Sequence, residues 1–140
     1  MSYNPYTPTK SIPITIRTTL SSADILSMNT TPVIPTMTVP GGYAVQIIEV
    51  CGRMNYNTTP YATNTTFNIV FSTAVGQSVW QNANLLPGTN SEIRRFVKTS
   101  GSGAEVIIPN DPLVITCTAG NPTAGDSTAD IWITYTLIAI

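Results

Sequence analysis

Short alternating segments separated by turn residues dominate this chain. Residues 12–17 and 129–138 alternate apolar with polar side chains, and a period of two is typical of β-strands with one buried face. Further short apolar runs are divided by Gly, Pro and Asn clusters such as GSG and PND. About eight such segments, with no helix pattern of even three turns, predict an all-β fold. Such a pattern is typical of a β-sandwich or a closed barrel. We expect a single-domain β-sandwich over residues 12–140, with the strand spacing of a jelly roll.

Several local signals predict how this sandwich begins. Residues 1–11 contain Tyr3, Pro5, Tyr6 and Pro8, and the prolines favour an extended N-terminal arm. Isolated termini fray unless something binds them. We therefore expect the arm, through these four residues, to contact another subunit or another protein.

The middle of the chain carries its own signals. Ser21 or Ser22 is expected to cap a short helical turn that ends near Asn29. The prolines of residues 32–40 favour a sheet edge, because each proline removes a backbone donor. Residues 43–54 are apolar on both faces, which is typical of a central strand covered on two sides.

Two further expectations concern glycine and loop positions. Gly52 is predicted to mark a bulge or bend in its strand. Residues 72–91 resemble a loop anchored by Val79, Trp80, Leu85 and Leu86. A connection of this length in a compact domain is either functional or contains an unrecognised short strand.

Charge is scarce throughout the chain. Residues 54–91 and 25–48 contain no charged side chain, only 9% of all residues are charged, and the net charge is -1. Nucleic-acid binding needs several cations to displace counterions from phosphate, and acid–base catalysis needs clustered titratable groups. Neutral Thr- and Asn-rich surfaces instead pack against other protein surfaces at little free-energy cost, because few charged groups must be removed from water. This composition favours an oligomer subunit, with a charge-poor monomer as the alternative.

Membrane and redox signals are weak. There is no run of about 18 apolar residues and no secretion signal at the N-terminus. Cys51 and Cys117 each lie in an apolar run, which suits either buried thiols or a disulfide. Without a secretion signal, free thiols in a protein made in a reducing cytoplasm are favoured.

Catalytic and metal-binding candidates are few. The chain has no histidine, so Gly125-Asp126-Ser127, which is superficially similar to an esterase motif, has no histidine base. We interpret it as a turn in which Asp126 and Ser127 bond local backbone amides. Oxygen ligands for calcium could come from Asp126, Asp130 and Asn121, but their spacing matches no calcium loop, and Asp130 is expected to face solvent. The prediction is a protein without catalytic residues, cofactor or metal.

The one basic cluster, Arg94, Arg95 and Lys98, is too small for a phosphate-binding surface. Arg94 and Phe96 share one face of a strand while Arg95 points to the other, so no continuous cationic stripe forms. Pairing with Glu92 or another acidic neighbour is the simpler role.

Three stretches together resemble a group of small virion proteins of tailed bacteriophages. They are SADILSMNTTPVIP at Ser22–Pro35, MNYNTTPYATNTTFNI within residues 43–71, and GDSTADIWITYTLI at Gly125–Ile138. The resemblance covers most of the chain beyond the arm and implies a place on the capsid exterior, as a decoration protein, head fibre or spike. It implies no catalytic residues. Residues 72–91 have no counterpart pattern in this group.

The expectation that follows is a non-enzymatic virion structural protein, made in the host cytoplasm and bound to the capsid. We expect a homo-oligomer, in the form of a trimer, whose arm docks on the major capsid protein or another virion protein. The alternative is a host-glycan-binding module, in which loops 56–64 or 80–90 stack aromatic rings such as Tyr56 or Tyr61 on sugars. A virion hydrolase built on Asp126 and Ser127 has the least support.

Overall fold

The computed structural model describes residues 12–73, 80–99 and 107–140 of the chain. The regular secondary structure of these ranges is almost entirely β. They form strands β1 Ile14–Leu20, β2 Tyr43–Asn55, β3 Phe67–Phe71, β4 Trp80–Asn82, β5 Ile93–Arg95, β6 Val97–Lys98, β7 Leu113–Cys117 and β8 Thr128–Ala139, with one helix, α1 Ser22–Ser27. The predicted all-β fold is confirmed. The proposed arm, including Tyr3, Pro5, Tyr6 and Pro8, lies outside the described residues.

Two antiparallel four-stranded sheets make up the sandwich. The long sheet has the order β1-β8-β2-β5 and the short sheet the order β6-β4-β3-β7. Strands β2 and β8 have 13 and 12 residues, whereas β3 and β7 have five each. The long sheet therefore extends well beyond the short one, and the ends of its inner face are left for loops to cover.

The core fills the space between the sheets. β3 and β7 are buried along their whole length, and the inward residues of β2 and β8 face them. Phe96 separates β5 in one sheet from β6 in the other, and its amide donates to the Val50 carbonyl at 2.9 Å. Its buried ring meets Phe67 edge-on, with centroids 5.7 Å apart. The crossover at Phe96 places the β5 edge and the β6 edge on the same side of the sandwich.

The helix is the most local feature of the fold. Its N-cap is Ser21, whose hydroxyl accepts from the Asp24 amide while the Asp24 carboxylate accepts from the Ser21 amide. Such a reciprocal pair satisfies two free donors of the first turn. The predicted cap is confirmed, and the helix ends at Ser27, with Met28 as its C-cap.

The strand β2 corrects two expectations. The register between β2 and β8 shifts at Ile48, so the bulge lies there and not at Gly52. Gly52 is required for packing instead, since a Cβ at this position would come within 2.5 Å of Leu85 Cδ2. From residue 49 onwards the strand is also buried on one face only, because Arg53 is exposed and Glu49 is half-exposed on the other. A central strand can thus be apolar in sequence without being covered on both sides.

The proline-rich segment forms a single bridge and no full strand. Val33 and Ile115 exchange both backbone hydrogen bonds, at 3.0 and 2.8 Å. Because β7 is the last strand of the short sheet, this bridge lies at a sheet edge, as predicted. In the described part of residues 72–91 the missed short strand is β4. Leu85 and Leu86 are buried anchors and Trp80 packs against the core, whereas the proposed anchor Val79 lies outside the described residues.

One end of the long sheet exposes apolar side chains. Ile14 at the start of β1 is 41% exposed, and Ile12 just before it is 79% exposed. Tyr43 at the start of β2 is 38% exposed, and Ile140 at the end of the chain is 62% exposed. β1 is buried on its inner face only towards Leu20.

Candidate functional site

The outer face of the long sheet gathers aromatic, charged and hydroxyl side chains. On β8 the alternation predicted from the sequence turns Ile131, Ile133 and Tyr135 into the core, so that Trp132 and Thr134 face outward. The antiparallel register sets Arg17 of β1 and Cys51 of β2 on either side of Trp132. The next row on this face contains Thr15, Thr134 and Glu49.

Asp130 binds side chains of two neighbouring strands on this face. The expectation that Asp130 faces solvent is wrong. This residue is only 4% exposed. One carboxylate oxygen accepts from Arg17 Nη2 at 2.9 Å, from Arg17 Nε at 3.1 Å and from the Thr19 hydroxyl at 2.7 Å, and the other accepts from Asn55 Nδ2 at 3.1 Å. Burial alone would raise the pKa of Asp130, but the hydrogen bonds from Thr19, Asn55 and Arg17 together lower it. The carboxylate thus joins β1 and β2 to β8.

Trp132 borders a cleft of about 300 Å³ on the outer face. Thr15, Glu49, Cys51, Ile93 and Thr134 complete its lining. The two threonine hydroxyls lie 2.9 Å apart, and Glu49 pairs with Arg95 Nε at 3.1 Å. The Arg17 guanidinium lies 5.6 Å from the Trp132 ring centroid, within the range of a cation–π contact.

The Gly125-Asp126-Ser127 turn binds a distant loop. Asp126 accepts from the backbone amides of Thr58 and Thr59 at 3.1 and 2.9 Å, and from the Thr58 hydroxyl and the Asn57 side chain. The Thr58 hydroxyl and these amides lower the pKa of Asp126 to about 2. The backbone-amide role is as predicted, but the amides lie 67 and 68 residues away in the chain and are not local.

Ser127 and Tyr61 are structural residues of the same loop. Ser127 is 1% exposed, and its hydroxyl accepts from the Asn57 amide at 3.0 Å, so it offers no accessible nucleophile. Tyr61 is 2% exposed and donates its hydroxyl to the Ser127 carbonyl. The suggestion that Tyr61 stacks on a sugar is therefore wrong. Tyr56 is half-buried, and its hydroxyl donates to the Thr58 carbonyl at 2.6 Å.

The second loop named as a glycan candidate is lined by amides. Gln81, Asn82 and Asn84 border a surface furrow of about 410 Å³ together with Arg94. Trp80 is packed against the core and forms no aromatic platform for this furrow. Arg94 pairs with Glu92 at 2.9 Å, as predicted.

The three oxygen ligands considered for calcium are not brought together. Asp130 binds Arg17, Asp126 binds the Thr58 loop, and the Asn121 side-chain oxygen accepts from the Asn29 amide at 2.8 Å. No group of three acidic, cysteine or histidine side chains suited to a metal occurs among residues 12–73, 80–99 and 107–140.

The two cysteines are free thiols in different sheets. Burial raises the pKa of Cys117 to about 12. Burial, reinforced by the Glu49 carboxylate, also raises the pKa of Cys51. Both thiols are therefore protonated and weakly nucleophilic near neutral pH.

Sequence reasoning missed the site around Trp132. Residues Arg17, Glu49 and Trp132 are far apart in the chain, and only the register of β1, β8 and β2 brings them together. The available signal was the large aromatic residue on the polar face of an alternating strand.

Comparison with known proteins adds no relative, because no protein-family model, curated protein or solved structure matches this chain.

Within the described ranges, the only helix has six residues, far fewer than a bilayer-spanning helix needs.

Proposed function

We propose that this chain is a non-enzymatic structural subunit of a tailed-phage virion, which oligomerises as a trimer and binds the capsid exterior as a decoration or head-fibre protein. The observation that carries the proposal is the β1 end of the long sheet. Among the described residues, β1 is an edge strand whose one sheet neighbour is β8, and its first residue, Ile14, is exposed together with the preceding Ile12. Unpaired backbone groups next to exposed apolar side chains are a template for association with another chain.

The charge pattern supports association at this edge. Arg17 is the one charged residue of β1, and Asp130 already neutralises it. Covering the edge with a second protein surface therefore requires no unpaired charge to be buried. Closed symmetry would protect such an edge in every copy.

The strand order supports the jelly-roll form of the sandwich. The Val33 bridge can be counted as a reduced strand of the short sheet. The chain then passes from β1 in the long sheet to Val33 in the short sheet, back to β2, across to β3 and β4, and back to β5. It finally crosses to β6 and β7 in the short sheet and returns to β8 in the long sheet. First and last strands then lie side by side in the long sheet, as two nested Greek keys require. Jelly rolls are common in capsid proteins.

The hydrolase hypothesis gains no support from the geometry. Ser127 is buried, and Asp126 is occupied by donors from residues 57–59. The role that fits these residues is to hold a loop against the start of β8.

Light scattering during size-exclusion chromatography tests the proposal. We expect a mass about three times that of the 15.0 kDa chain. Ile14→Lys should shift the protein towards monomer, since it places a charge in the apolar edge. The matched control is Val97→Lys, because Val97 is also exposed but lies on β6, on the other side of the sandwich.

Two outcomes contradict the proposal. One is a monomer at every concentration tested, and the other is equal dissociation by Ile14→Lys and Val97→Lys. Deletion of residues 1–10 tests the arm separately, by asking whether the truncated protein still binds purified empty capsids at full occupancy. If it does, Tyr3, Pro5, Tyr6 and Pro8 have no docking role.

A further inference from the structure

We propose that the Trp132 cleft on the outer face of the long sheet is a saccharide site that accepts one pyranose ring. This inference is independent of particle assembly, because it rests on the cleft alone. It places glycan recognition on a sheet face and not on loops 56–64 or 80–90.

The accessible lining of the cleft is almost entirely apolar, which suits the C–H face of a sugar ring, and its few polar atoms lie at the border. Trp132, Ile93 and the Cys51 thiol give an apolar wall for the C–H face of the ring, while Glu49 and the two threonines supply polar atoms at its border. The Glu49 side chain is 43% exposed, so its carboxylate can accept from sugar hydroxyls. Each threonine hydroxyl keeps hydrogen-bonding capacity beyond the mutual contact of 2.9 Å.

The indole is held in place before a ligand arrives. Arg17 packs against the Trp132 ring at 5.6 Å and is itself fixed by two hydrogen bonds to the buried Asp130. Arg17 does not line the cleft, so the guanidinium covers a different part of the indole from the part that faces the cleft. A side chain fixed in advance loses less conformational entropy when it binds.

The charges and size of the cleft distinguish a sugar from other ligands. Arg17 and Arg95 are each paired with a carboxylate, and the Glu49 carboxylate at the border of the cleft disfavours a second anion such as phosphate. A volume of about 300 Å³ lies at the lower limit for small-molecule sites and suits one ring better than a peptide. An open cleft with one aromatic wall predicts a dissociation constant of about 1 mM.

Tryptophan fluorescence tests the site directly. Trp80→Phe leaves Trp132 as the single tryptophan, and this variant is titrated with glucose, galactose, N-acetylglucosamine and glucuronate. We expect a saturable change in fluorescence with at least one of the four sugars. In the reciprocal variant, Trp132→Phe, the remaining Trp80 should give no saturable change.

A matched pair of charge variants then tests the role of the carboxylate. Glu49→Gln should weaken binding about tenfold, because it removes a charged acceptor at the border of the cleft. Glu92→Gln is the control, since Glu92 also forms an exposed pair with an arginine but does not line this cleft. Circular dichroism of each variant confirms that the fold is retained.

Three results would overturn the inference. The first is the absence of a saturable response to all four sugars up to their solubility limits. The second is an equal response in the Trp132→Phe variant, which would move binding to the Trp80 loop. The third is an equal effect of Glu49→Gln and Glu92→Gln. None of these results depends on the oligomeric state, so failure here leaves the proposed virion role standing.

Discussion

Replacing Gly125 by Ala tests whether the Gly125-Asp126-Ser127 turn exists for packing. Gly125 has a φ of +88°, and a Cβ there would lie 2.2 Å from Tyr61 Cδ1 and 2.4 Å from Cε1. Tyr61 is buried, so its ring cannot move away without disturbing the core. Two costs therefore combine: a left-handed backbone at about 1–2 kcal/mol, and overpacking at about 1–3 kcal/mol.

Gly42→Ala separates the two costs. Gly42 has a nearly equal φ of +81°, but a Cβ added there would have no other atom within 4 Å. Both variants gain the same small benefit from a less flexible unfolded chain. We expect Gly125→Ala to lower the free energy of unfolding by about 1–3 kcal/mol more than Gly42→Ala does.

The assay is urea unfolding followed by circular dichroism, at one protein concentration because oligomerisation contributes to apparent stability. A Tyr61→Leu background should reduce the cost of Gly125→Ala, with a coupling energy of about 0.5–3 kcal/mol. If Gly125→Ala and Gly42→Ala are equally destabilising, and the Tyr61 background changes nothing, the packing explanation is wrong.

Three further predictions concern acid, packing and thiols. Hydrogen bonds hold the pKa of Asp126 at about 2 in the folded protein. The ionised carboxylate therefore stabilises the fold above its unfolded pKa of about 4, and this stabilisation is lost as pH falls towards 2. In Asp126→Asn, the urea midpoint should depend less on pH over this range. Gly52→Ala should cost about 1–3 kcal/mol because of Leu85, whereas Gly41→Ala, with open space around its Cβ, should be nearly neutral by the same assay. Ellman's reagent should modify Cys117 only on unfolding, because burial raises its pKa to about 12, and a native protein with two fast-reacting thiols would contradict the structure.

Features set by neighbouring residues could be predicted from the sequence. The Ser21 cap and its Asp24 partner are three residues apart, so the signal is complete within one turn. The alternation in β8 correctly placed Ile131 and Ile133 in the core. Each of these inferences needs no knowledge of strand pairing.

Features set by strand register could not be predicted. Asp130 is buried because Arg17 and Thr19, more than 110 residues earlier, lie beside it on β1. Gly52 is needed because Leu85 crosses over it, which no local pattern around Gly52 reveals. Exposure read from polarity alone is therefore unreliable where a polar residue has partners on an adjacent strand.

The candidate site also combines one feature that the sequence indicates with others that only strand pairing reveals. Trp132 could be recognised as an outward aromatic residue on the polar face of an alternating strand. Its Arg17 and Glu49 neighbours required the pairing of three strands. The buried position of Tyr61 also depended on a distant contact, with the carbonyl of Ser127.

Quantitative mass spectrometry of density-purified phage particles tests whether this chain is a virion component. We expect peptides of this chain in particles at a fixed molar ratio to the major capsid protein, together with surface labelling by an antibody raised against the chain. Detection only in the soluble lysate, with particles free of the protein, would contradict it.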